Sequence, residues 1–146
     1  MILNNMKLSI ILLILVLFCG CENGIFKPSI ETITFDGFTL DAPSDWHAFT
    51  SQGYDSKTGG ISDGKNKLTY DFGWYSYNFN NETTDTHIRI STTINGKDAL
   101  IVRPKKKGKG IIGVYIQADS ITRFSLYGTS KDEDRILKIF ESVRFL

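Results

Sequence analysis

Between Lys67 and Tyr77 the side chains alternate, with Leu68, Tyr70, Phe72 and Trp74 on one face and Thr69, Asp71, Gly73 and Tyr75 on the other. A period of two is that of an extended chain, so this run is the strongest strand candidate, and Tyr70, Phe72 and Trp74 are expected to point inward. Shorter runs repeat the pattern. Ile33-Thr34-Phe35 and Phe38-Thr39-Leu40 flank Asp36-Gly37, a dipeptide suited to the positive backbone angles of a tight hairpin. Ala42-Pro43-Ser44-Asp45-Trp46 then interrupts pairing, because Pro43 lacks an amide donor and restricts the residue before it. Trp46 is expected to close the edge of the core. Ile88, Ile90 and Ile94 alternate with Arg89 and Ser91 up to a second hairpin signal, Asn95-Gly96, with a return strand from Asp98 to Val102. Further strands are expected over Ile111–Ile116 and Thr122–Tyr127, the latter with Phe124 and Leu126 on one face. Asn78–Asp85 reads as a polar loop and Pro104–Gly110 as a basic, glycine-containing turn.

One segment has helical spacing, from Ser130 to about Ser142. Ser130 and Glu133 stand at capping-box spacing, and Asp132, Glu133 and Asp134 place negative charge at the positive end of the helix dipole. Ile136, Leu137, Phe140 and Val143 form an apolar stripe that should lie on a sheet. Strands first and a helix last, without regular alternation, predict an α+β domain. The expected architecture is a single antiparallel β-sheet of hairpins with the C-terminal helix packed on one face.

Ahead of this domain lies a different pattern. Lys7 is followed by an apolar run from Ile10 to Phe18, short of the roughly 20 residues that span a bilayer and shaped like a signal peptide. Phe18-Cys19-Gly20-Cys21 resembles a bacterial lipoprotein processing site, with Gly20 before the cut and Cys21 as the acylated residue; a membrane-anchoring helix and an ordinary secretory signal are the competing readings. The expected organisation is a signal peptide over 1–20, a lipidated Cys21 (palmitate among its acyl chains) and tether over 21–31, and a single domain over 32–146. Folding is expected to begin near Ile33. Cutting before Cys21 leaves 126 residues, enough for one self-sufficient core. Cys19 leaves with the leader and Cys21 is consumed by lipid, so no disulfide framework is available. Lys7 is the only charge removed, so 16 basic face 16 acidic residues. Such a balance gives no long-range attraction to nucleic acid or to an anionic membrane. The implied location is the bacterial cell envelope, with the membrane as partner through the lipid anchor.

The early hairpin, the Pro43-Ser44-Asp45-Trp46 step, the run of antiparallel strands and a terminal helix followed by Arg144-Phe145 together resemble the PsbP/Mog1-like fold. Gly53-Tyr54-Asp55-Ser56, Gly59 and Tyr70-Asp71-Phe72-Gly73-Trp74-Tyr75-Ser76 are similar to uncharacterised small lipoproteins of Bacteroidota-type bacteria. The resemblance implies a fold and no particular reaction.

Candidate chemistry is sparse. His47 and His87 lack metal-ligand spacing, no serine stands in a Gly-x-Ser-x-Gly elbow, and neither Gly59-Gly60 nor Gly108-Lys109-Gly110 fits a phosphate loop. No catalytic residue, metal or cofactor is therefore assigned. Asp55, Ser56, Asp63 and Asp71 could supply oxygens to a calcium ion, but their spacing matches no calcium loop. The plainer account has Asp55-Ser56 capping a turn, Asp63-Gly64 forming one, and Asp71 facing solvent. Lys105, Lys106, Lys107 and Lys109 could touch anionic headgroups, or simply be solvated and protect a sheet edge. Tyr75 and Tyr77 are expected to point outward beside Asp71, unless the terminal helix covers that face. Exposed tyrosines offer rigid faces to sugars, peptides or proteins. The candidate binding surface is thus Asp55, Ser56, Asp71, Tyr75 and Tyr77, serving a non-catalytic binding or accessory domain for an envelope protein or glycan. An immunity, inhibitor or structural lipoprotein is the alternative. A hydrolase centred on Asp55, Ser56 and Asp71 is a third.

Overall fold

The computed structural model describes residues 28–146; the expected signal peptide, Cys21 and most of the expected tether lie outside the described residues. Ten strands and one helix follow in chain order: β1 (Ile30–Phe35), β2 (Phe38–Pro43), β3 (His47–Ser51), β4 (Ser56–Ser62), β5 (Lys67–Gly73), β6 (His87–Ile94), β7 (Lys97–Pro104), β8 (Ile112–Gln117), β9 (Arg123–Thr129), α1 (Glu133–Glu141) and β10 (Arg144–Phe145). Among the described residues, regular structure opens at Ile30, ahead of Ile33.

The strands form two sheets, and this corrects the expected single sheet with a helix on it. β3 to β9 make a seven-stranded antiparallel sheet in the order β3-β4-β5-β9-β8-β7-β6, while β1, β2 and β10 make a separate three-stranded one. The described fold is mostly β, and the one helix among the described residues has nine residues. The reason lies in β2. Phe38, Leu40 and Ala42 alternate into the core and are completely buried. With no amide on Pro43 to extend the ladder, Ser44 instead donates to the Ser29 carbonyl at 2.7 Å, and the chain steps across to the edge of the large sheet at His47. Trp46 plugs that step, nearly fully buried. The hairpin itself forms as expected: Phe35 pairs with Phe38 around Asp36-Gly37, and Gly37 has φ 102°.

One core fills the space between the sheets and the helix. Phe38 from the small sheet meets Tyr70 (5.0 Å between ring centroids), Phe72 (5.7 Å) and Phe124 (4.7 Å) from the large one. From α1, Ile136, Ile139 and Phe140 complete it. The helix starts differently from expectation. Asp132 is its N-cap, accepting from the Arg135 amide, whereas Ser130, two residues too early for a capping box, accepts from the Asp132 amide through its Oγ. Glu133 is buried and accepts from the Gly108 amide at 3.1 Å, so it fastens the β7–β8 turn to the helix.

β5 and β6 are consecutive in the chain but separated by three strands in the sheet, so residues 74–86 must cross one face. The helix occupies the other face, which leaves the second one to this crossover. Phe79, in the expected polar loop, is fully buried there with φ 58°, packed edge-on to Tyr77 at 4.8 Å and Tyr127 at 5.9 Å. Gly113 makes the room: a Cβ on it would lie 2.4 Å from Phe79 Cζ. Arg89 Nη1 donates to the carbonyls of Phe79 (2.7 Å) and Glu82 (2.6 Å), holding the crossover against β6.

Candidate functional site

β5 stops at Gly73, and the next two residues leave the sheet. Trp74, expected inward, is therefore 64% exposed, and Tyr75 is 73% exposed. Without a neighbouring strand to hold them on opposite faces, the two rings stack on each other, 5.9 Å apart and 11° from parallel. The backbone beneath them is tied down. Arg123 Nη1 donates to the Trp74 carbonyl and to the Ile121 carbonyl, each at 3.1 Å, and the buried Ser76 hydroxyl lies 2.8 Å from the Arg123 carbonyl and 3.0 Å from that of Asp71. Two exposed aromatic faces are thus mounted on a rigid bend.

Two shallow depressions flank this bend. One, of about 540 Å³, is lined by Tyr54, Asp55, Ser56, Lys57, Gly73 and Thr122 among others; the other, of about 250 Å³, by Trp74, Tyr75, Ser76, Asn78, Tyr115 and Arg123. Tyr54 and Ile121 are fully and mostly exposed. Strand register puts all of them at one pole, since Ser56 pairs with Gly73 and Gly73 with Arg123.

Of the residues expected at a binding surface, Asp55, Ser56 and Tyr75 meet at this pole. Tyr77 does not join them. Its hydroxyl donates to the Glu82 carboxylate (2.8 and 2.9 Å to the two oxygens) and its ring packs on Phe79 and Tyr127, so it belongs to the crossover's own small core. Trp74, Tyr54, Asn78, Tyr115 and Arg123 are the residues that reading the alternation passed over. The one hint was Gly73 followed by four polar or aromatic residues, which ends a strand pattern rather than extending it.

Asp71 is half-buried rather than turned fully to solvent. It sits opposite Ser125 on β9, and both its Oδ1 and Ser125 Oγ are buried without a hydrogen-bond partner among the described residues. Burial pushes its carboxyl above the ordinary range; the Ser56 hydroxyl opposes the rise and the Asp55 charge adds to it. The folded state then holds this proton more tightly than the unfolded chain, so stability from this group falls as pH rises above about 4. Asp71→Asn removes the charge and adds a donor for Ser125. It should melt a few degrees higher than the parent at pH 7 and lose that advantage near pH 3; a lower melting temperature at pH 7 in a thermal scan would contradict this account.

The remaining chemistry disperses. Asp63 accepts from the amides of Lys65 and Asn66 in the β4–β5 turn, at the far end of β4 from Ser56, so the four candidate calcium ligands do not converge. Among the described residues no group of three or more His, Cys, Asp or Glu side chains could hold a metal ion. His47 is exposed on β3, and His87 is buried between Thr86 Oγ1 (2.8 Å) and the Ile111 carbonyl (3.1 Å), which satisfies both ring nitrogens. No described helix is long and apolar enough to cross a membrane.

No protein-family model matches the sequence, and no curated protein matches it. Among solved structures, the chain is similar to cyanobacterial PsbP (CyanoP) from Synechocystis sp. PCC 6803, with a TM-score of 0.54 at 8% identity over 88% of this chain and 99% of that one. A structure from Bacteroides thetaiotaomicron VPI-5482 gives a TM-score of 0.48 at 9% identity over 83% of this chain and 49% of that one. At such identities the CyanoP likeness speaks to architecture alone: the domain has a PsbP-like fold.

Proposed function

We propose that this chain is a lipid-anchored protein of the bacterial cell envelope whose domain binds a glycan or protein without chemical conversion, at the pole formed by Trp74, Tyr75, Tyr54 and Arg123. The observation that carries the reading is the exposed Trp74–Tyr75 stack on a backbone fixed by Arg123 and Ser76. Large apolar faces left in water are costly to a structure that gains nothing from them, and rigid aromatics lose little entropy when they capture a ligand. The Asp55, Lys57, Asn78 and Arg123 side chains around them can fix orientation through hydrogen bonds. The lipid anchor rests on Cys21 and its leader.

A glycan array and photo-crosslinking in intact envelopes, with a photoreactive residue at position 75, test this together. Trp74→Ala with Tyr75→Ala should weaken retention on whichever target the parent binds by about 30-fold or more while leaving the melting temperature unchanged. Tyr77→Ala should do the reverse, lowering stability through the crossover. No target for the parent in either assay, or loss of folding in the Trp74/Tyr75 variant, would refute the binding pole.

A further inference from the structure

The register that gathers the aromatic pole also defines its opposite. Ser62 pairs with His47 and with Lys67, Lys67 with Thr129, Gly128 with Ile112, Gly113 with Val102, and Pro104 with His87. The β4–β5, β7–β8 and β9–α1 connections therefore share the pole farthest from Trp74. They carry exposed Lys65, Lys105, Lys106, Lys107, Lys109 and Lys131. The last two connections touch, since a Cβ on Gly108 would lie 2.8 Å from Lys131 Cγ. Among the described residues only Lys107 of this group has an acidic partner, Asp134 at a loose 4.0 Å. The acids nearby are mostly engaged elsewhere: Asp63 with turn amides, Glu133 with the Gly108 amide, Asp132 with Arg135. Glu31, Asp45, Asp85 and, but for its loose contact with Lys107, Asp134 are the exposed exceptions.

The described chain starts at this same pole. Ile30 pairs with Pro43, at the opposite end of β1 from the Asp36-Gly37 turn, and the turn is held at the aromatic pole by the Lys57–Asp36 ion pair at 2.7 Å. Pro28 lines a cavity with Pro43, Asp132, Asp134 and Arg135 at the start of α1. Cys21 precedes Pro28 by seven residues, which span at most about 25 Å when fully extended. An acyl group on Cys21 would keep Pro28, at the lysine-bearing pole, within that distance of the lipid.

We propose that the pole carrying Lys105, Lys106, Lys107 and Lys109 lies against the anionic lipid surface that holds the anchor, and that the Trp74–Tyr75 pole is thereby directed away from the membrane. This rests on the anchored reading of Cys21. Near-zero net charge does not oppose it, because a charge acts on a membrane only within about 10 Å in ordinary salt. What counts is the local run of lysines, each gaining about five-fold in affinity next to anionic lipid. The far pole, with Asp36, Asp55 and Asp119, lies beyond that range.

Protein purified from the membrane fraction would be reconstituted in phosphatidylcholine vesicles with and without phosphatidylglycerol, then acetylated with a water-soluble lysine reagent and read by mass spectrometry. Lys105, Lys106 and Lys109 should react about five-fold more slowly on the anionic vesicles, and high salt should erase the difference. Lys97, exposed in the β6–β7 turn at the aromatic pole, should react equally on both. The intact mass reports acylation of Cys21 independently. An unacylated mass overturns the anchor and this orientation with it; an acylated mass with equal rates at Lys105, Lys106 and Lys109, or with Lys97 equally protected, overturns the orientation alone.

Discussion

Phe38→Ala should cost about 3–5 kcal/mol, a large share of the 5–15 kcal/mol by which a domain is ordinarily stable. Phe38 is fully buried and makes the most ring contacts from the three-stranded sheet to the seven-stranded one, against Tyr70, Phe72 and Phe124, with Phe35 on Tyr70 and Phe145 on Phe72 and Phe124 beside it. Its own hairpin supplies only one ring neighbour, Phe35 at 4.8 Å, so truncation leaves a cavity that the hairpin cannot refill alone. Phe35→Ala, half-buried at the rim, should cost clearly less. Urea titrations of the two variants measure this, and a Phe38→Ala loss below about 1 kcal/mol would mean that the sheets are joined elsewhere.

Phe79→Ala is expected to cost about as much by the same arithmetic, but with a different signature. Phe79 pins the crossover over Gly113, and the segment it pins has no ladder of its own to fall back on. Opening should therefore be local first. Hydrogen exchange across residues 76–86 should accelerate at least ten-fold while β8 and β9 stay protected. A larger residue can refill the gap from below, so Gly113→Val should be damaging alone yet lose much of its cost when combined with Phe79→Ala. Strict additivity of the two would show that the ring and the glycine are not partners.

Local pattern and tertiary partnership were not equally legible. Alternation located most of the strands, because each side chain reports its own face: Leu68 and Tyr70, Phe124 and Leu126 all point inward as expected, whereas β3 and β4, short of large apolar residues and holding Gly59-Gly60, gave no such pattern and were not expected. It carries no information about which strand lies alongside which. That is why the hairpin was placed in the main sheet rather than beneath it, and why β10, two residues long, escaped notice. Trp74 illustrates a second limit. The period of two continued through it, but pairing had already ended at Gly73, and only the absence of a partner at that point turned an inward position outward. Asp71 illustrates a third, since nothing local says that Ser125 stands opposite and that the crossover shields that face. Of the residues at the aromatic pole, turn signals and alternation single out Asp55, Ser56 and Tyr75; Arg123, which fixes the bend from 49 residues away, carries no local signal.

The partner of β2 on its second side is β10, with Thr39 opposite Arg144 and Phe38 opposite Phe145. Ser142 Oγ reaches the Asp41 amide across 101 residues of chain. The hairpin is made early during synthesis but its seat is made last, so Phe35 and Phe38 stay solvent-facing until nearly the whole polypeptide is available. Contacts of such sequence separation slow folding, and a nascent or clipped chain without its final residues would present a sticky aromatic face.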